Sequence, residues 1–197
     1  LWEAFRVMEQ GGFYDISQNP LKYDSSYTAF MPDYQVPFIL MNSQGTGADP
    51  MTFTHEFGHF CNNYASMGSE ASIDVAEIFS QSLELLSLTY CKDTESLAKM
   101  QMASALSTFV IQAFFADFEN KVYLLDKDAL TVENVRQLYS KTAFRFDFGV
   151  DERTFITVPH FFVAPVYVIS YVTSADAALQ IFQLEQAQKG AGLQLYM

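Results

Sequence analysis

The chain has 197 residues, half of them hydrophobic, which is enough for one sizeable core. Its 23 acidic against 11 basic side chains, a net charge of −12, repel phosphate backbones and anionic bilayers, so neither nucleic acid nor a membrane surface is an expected partner. Two cysteines exclude a disulfide scaffold, and no apolar run reaches the roughly 20 residues of a spanning helix. No secretory leader is legible, so a reduced, cytoplasmic setting is expected. The chain opens on Leu1 already inside a helical pattern, which reads as a truncated N-terminus.

Residues 1–10 read as a helix that ends at Gly11 and Gly12. Residues 13–50 hold four of the six prolines and two short β-prone runs, "YTAF" (27–30) and "VPFILMN" (36–42). These predict a small sheet or hairpin, with Pro37 placing the second run at an edge. "SQGTGADP" (43–50) is a loop whose end starts a helix, with Asp49 as N-cap and Pro50 at the first helical position. Helices are then expected over about 50–66, 72–91 and 95–126, with a break at "MGSE" (67–70). Another runs from a Thr131 cap to about 145, and a last one from His160 or Pro165 to Gln188. The Met and Phe residues of 100–118 recur at helical spacing and are expected in the core. The fold class expected is mainly α with a small β element, in a single core spanning 1–197.

The stretch "TFTHEFGHFCNNY" (52–64) holds two of the three histidines, four positions apart. On a helix that spacing puts His55 and His59 on one face, where both imidazoles can reach one ion. Zinc takes imidazole nitrogen at about 2.0–2.1 Å and keeps a water position open in catalytic sites. Glu56, one step round the helix, can take the proton of a water whose pKa the metal lowers. A polar helix face is the competing explanation, but the residues around the motif are apolar, where ionisable groups are rarely placed without a partner.

A third ligand is expected on the next helix, "SIDVAEIFSQSLELLSLTYC", where Asp74, Glu77 and Glu84 form one acidic stripe. Glu77 follows His59 by 18 positions, enough to finish one helix, turn at Gly68 and return antiparallel. Glu77 is therefore the expected ligand, with Glu84 or Asp74 as the alternative. Those not used would orient the histidines. The third histidine, His160, stands in "VPHFFVAPVYVISY" with Tyr167 and Tyr171, which share a helical face. Their donors could serve the oxyanion of a tetrahedral intermediate. Cys61, just past the motif, reads as buried packing.

"GGFYD", "VPFILMNSQG", "THEFGH", "DVAEIFSQSLELL" and "PHFFVAPVYVISY" occur in the order and approximate spacing of the oligoendopeptidase F branch of the thimet oligopeptidase family. The chain resembles that branch over about residues 11–185. The resemblance implies a zincin-like core in which His55, His59 and Glu77 hold one Zn2+ per chain and Glu56 is the base. His160, Tyr167 and Tyr171 would stabilise the oxyanion. An extended substrate would pair with an edge strand, here Phe38, Ile39, Leu40, Met41 and Asn42. Family members are longer at both ends and admit short peptides to a channel, so oligopeptides are the expected partners and this chain the catalytic core alone. The expected activity is cleavage of internal bonds of oligopeptides. A zinc carboxypeptidase or dipeptidyl carboxypeptidase, or a catalytically silent helical fragment, are the alternatives.

Overall fold

A computed structural model describes residues 1–22, 26–69, 72–91 and 95–197. The chain divides into two compact units, Leu1–Ala98 with Ser174–Met197, and Lys99–Thr173. Among the described residues no helix is long and apolar enough to cross a membrane.

In the first unit α1 (Trp2–Gly11) buries Ala4 and Met8 and stops where Gly12 adopts φ 65°, a conformation that glycine enters without a Cβ clash. Three strands follow: β1 (Tyr14–Asp15), β2 (Ser26–Met31) and β3 (Val36–Met41). β3 lies in the middle of the sheet, antiparallel to β2 along its length and parallel to β1 at Ile39 and Leu40. The edge position expected for this strand is therefore wrong. Pro37 is tolerated because two-residue β1 stops short of it, so its missing N–H falls where one side of β3 has no ladder.

α2 (Asp49–Ala65) packs across β2 and β3, and α3 (Ile73–Tyr90) packs on α2. Ala4, Met8, Val36, Ile39, Met41 and Phe60 form the core between α1, sheet and α2. α2 begins one residue earlier than expected, with Ala48 at the N-cap and no side-chain cap. The Asp49 carboxylate instead accepts from the Ser43 hydroxyl (2.6 Å) and the Gly45 N–H (2.9 Å), closing the preceding loop. Those donors, Ser43 foremost, hold its pKa below the usual carboxylate value.

α3 is supported from a second side by the end of α7 (Val168–Ala187) and by α8 (Ala191–Tyr196). Tyr196 of α8 lies against Leu83 and Leu86, with its ring edge on Phe79. Glu185, 2% exposed, accepts from the Tyr90 hydroxyl (2.6 Å) and the N–H groups of Gly190 (2.7 Å) and Leu193 (3.0 Å). This carboxylate satisfies backbone donors at the start of α8 and ties them to α3.

The second unit is built on α4 (Glu95–Tyr123), α5 (Val132–Arg145) and the segment after α5. Thr131 caps α5 as expected, accepting from the Asn134 N–H at 3.2 Å. Phe114, Phe118, Tyr139 and Ala143 form the core, closed by Phe146, Phe148, Phe155 and Phe161. The expectation that the Met and Phe residues of 100–118 are core holds at the C-terminal end, for Phe114 and Phe118, and fails for Met100 at the other. Met100, Leu106 and Val110 are exposed, because α5 has 14 residues against the 29 of α4 and covers only part of it. The single last helix expected is two, α6 (His160–Val163) and α7, divided where Val166 adopts φ 64°.

Candidate metal centre

α2 carries His55, Glu56 and His59, and α3 brings Glu77 and Glu84 against them. The approach depends on Gly58. A Cβ there would lie 2.5 Å from Ser80 Cα and 2.8 Å from the Phe79 carbonyl oxygen, both backbone atoms of α3. We expect Gly58→Ala to push the helices apart, cost about 1–3 kcal/mol in chemical denaturation and weaken metal binding. A variant with the parent's stability and metal affinity would contradict this packing.

His55 Nε2 and His59 Nε2 are 3.2 Å apart, and the Glu77 carboxylate oxygens stand 3.6 Å from the first and 3.7 Å from the second. Ligands about 2.0–2.1 Å from a tetrahedral ion are separated by roughly 3.3 Å, so this triangle is close to the size zinc requires. His55, His59 and Glu77 are the metal-capable group among the described residues. Two imidazoles and one carboxylate leave a fourth position for water, unlike a closed four-ligand site.

The remaining polar contacts orient these groups. His55 Nδ1 lies 2.6 Å from Glu84 Oε1, so Nδ1 is the protonated nitrogen that donates and Nε2 faces the Glu77 side. Glu77 is buried, and the Ser80 hydroxyl lies within donating distance of both its backbone oxygen (3.0 Å) and its Oε2 (3.2 Å). Asp74, the third member of the acidic stripe, is exposed in the first turn of α3 and lies outside the metal-capable group.

Electrostatics sort the same residues. Burial presses the His55 pKa down, but Glu84, Glu77 and Glu56 outweigh it and the net direction is up. Burial, with the neighbouring His55, takes His59 down to about 3, which keeps it neutral as a ligand must be. Burial raises Glu56 above the usual carboxylate range, against Thr28 and His55, with Glu77 and Glu84 adding to the rise. A carboxylate with a raised pKa is a stronger base, suited to taking a proton near neutral pH. Burial also drives the Cys61 thiol up to about 12, in line with its expected packing role.

Within the second unit His160, Tyr167 and Tyr171 form a second cluster. The His160 ring stacks on Tyr167 with centroids 4.8 Å apart and lies 6.0 Å from Tyr171. The two phenol oxygens are 3.4 Å apart. Val166, β-branched and in the left-handed region, donates its N–H to Glu119 Oε1 at 2.8 Å, which holds the turn leading into Tyr167.

The edge position expected of the substrate-binding strand is corrected by the sheet order. Phe38 to Met41 belong to central β3, whose hydrogen-bonding edges are taken by β2 and, at Ile39 and Leu40, by β1. Ile39 and Met41 are buried against α1 and α2, and Asn42 follows the strand, accepting from the Asn19 N–H at 2.9 Å. The outer strand on the α2 side is β2. Sequence reasoning also missed Thr28 on β2, whose hydroxyl lies 2.8 Å from Glu56 Oε2. The one signal was its inward position in the alternation, shared with Ser26 and Phe30, where an apolar residue would be usual.

The model of peptidase family M3 matches residues 2–196. Oligoendopeptidase F of Lactococcus lactis subsp. cremoris is 28% identical over 186 residues, 83% of this chain and 30% of that protein. The oligoendopeptidase F homolog of Borreliella burgdorferi is 27% identical over 184 residues, 82% of this chain and 31% of the relative. The chain thus spans about a third of the length of these curated relatives. The structure of Pz peptidase A with inhibitor 2 superimposes with a TM-score of 0.84 at 20% identity, covering 98% of this chain and 38% of that one, which supports the fold. With nearly every residue inside the family model, and a mainly helical fold with one small sheet, the chain belongs to peptidase family M3.

Proposed function

We propose that this chain is the core of a zinc-dependent endopeptidase that hydrolyses internal bonds of short oligopeptides. The observation that carries the reading is the convergence of His55, His59 and the Glu77 carboxylate at near-tetrahedral spacing, with buried Glu56 on the same helix. Zinc held there would act as a Lewis acid on the scissile carbonyl and make a water more acidic.

The chain's own residues would do the rest. Glu56 accepts a proton from the attacking water as its oxygen bonds to the carbonyl carbon. When the C–N bond breaks, the same carboxyl gives that proton to the leaving amine. Glu84 keeps His55 in the tautomer that leaves Nε2 free to bind, and Ser80 helps to hold Glu77. His160, Tyr167 and Tyr171 are the proposed donors to the oxyanion, a role supported by their clustering within the second unit. The net charge of −12 disfavours nucleic acid as a partner, and membership of a peptidase family supports peptides as the substrate class.

The test is a quenched fluorescent peptide blocked at both termini, compared with the same peptide carrying a free C-terminal carboxylate. Cleavage of the blocked peptide at an internal bond supports the endopeptidase reading. Cleavage confined to the peptide with a free carboxylate would replace it with a carboxypeptidase.

A further inference from the structure

Thr28 lies on β2, and its Oγ1 stands 2.8 Å from Glu56 Oε2 and 2.9 Å from the Glu56 backbone oxygen. A hydroxyl has one hydrogen, so it can donate to only one of these acceptors at a time. Glu56 is 5% exposed, and the Thr28 contact is the hydrogen bond that its carboxyl makes among the described residues. Burial narrows the rotamers of this side chain, but a hydrogen bond to one oxygen is what fixes which oxygen meets a reacting water repeatedly.

We propose that Thr28 is the positioning residue for Glu56: its hydroxyl holds Oε2, leaving Oε1 as the oxygen that takes the proton from the attacking water. This role presupposes Glu56 as the base named above. While the carboxyl is ionised, the bond to Oε2 is charge-assisted and therefore strong. Once the carboxyl carries the proton, the Glu56 backbone oxygen is an acceptor at almost the same distance, so the hydroxyl is satisfied in both states. The alternative, a mere tie between β2 and α2, would use the hydroxyl for stability alone.

Thr28→Val keeps the β-branched shape of the strand and removes the donor, and Thr28→Ser restores it. The probe is acetohydroxamic acid, titrated calorimetrically into the zinc-loaded chain, because this ligand gives up a proton on binding and needs a carboxylate placed to take it. Thr28→Val should weaken the probe about tenfold or more, the size of one charge-assisted hydrogen bond, with zinc affinity unchanged and Thr28→Ser near the parent. In a crystal structure of metal-free Thr28→Val, the Glu56 carboxyl should spread over more than one rotamer while β2 and α2 stay in place. Parent-like probe binding by Thr28→Val, with Glu56→Gln weakened, would overturn the positioning role and leave the base reading standing. If neither variant weakened the probe, the base reading would fail and the positioning role with it. A single parent-like Glu56 rotamer without the hydroxyl would overturn it independently of metal.

Discussion

Glu56→Gln should lower turnover of the blocked fluorescent peptide by about 10²- to 10⁴-fold, the contribution expected of one positioned general base. The amide keeps the shape of the side chain and its contact with Thr28, but it cannot take a proton from water. The metal ligands are untouched, so zinc content should equal the parent's. The two readouts together separate base from ligand. Loss of zinc with loss of turnover would mean that Glu56 helps to hold the metal. Turnover close to the parent's would remove it from the chemistry.

The second large effect is expected at Glu77, set against Glu84. The two are seven residues apart, about 10 Å along the axis of α3, so one ion cannot bind both. The His55 ring lies between them: Glu77 Oε2 is 3.6 Å from its Nε2, and Glu84 Oε1 is 2.6 Å from its Nδ1. Glu77→Ala removes one of three ligands and should nearly abolish zinc binding. Glu84→Ala leaves all three and loses only the group that sets the tautomer and aim of His55, so affinity should fall about 10- to 100-fold. A competition titration that ranked the two the other way round would reassign the ligand.

The parts of the molecule that were legible in the sequence are those in which local chemistry and tertiary structure agree. His55 and His59 were found because an i, i+4 pair is a statement about one helix and needs no knowledge of the rest. Thr131 was recognisable because an N-cap is equally local. Glu77 was singled out of the acidic stripe by its 18-residue separation from His59 and the turn at Gly68, but Asp74 and Glu84 stayed open as alternatives, since excluding them requires knowing how α3 packs on α2, where Gly58 allows a close approach.

The misses have the opposite character. β3 was placed at an edge because of Pro37, and its second neighbour went unseen because β1 is two residues long, too short to leave an alternation in the sequence. Asp49 was read as a cap because an acidic residue before Pro50 fits that role, yet the loop of 43–47 competes for the same carboxylate and wins. The N-terminal part of α4 carries a core-like spacing of apolar residues, but spacing does not say how far the partner helix extends. Thr28 was invisible as a site residue because its partner is 28 positions away on another element.

The metal centre itself is tested most directly by metal analysis of the purified chain alongside His59→Ala. Two imidazoles and one carboxylate predict about one zinc per parent chain, retained through dialysis and removed by a strong chelator. The His59→Ala chain, left with one imidazole and one carboxylate, should hold essentially none. A His59→Ala protein that kept its full complement of zinc would contradict the assignment of His55, His59 and Glu77 as the metal site.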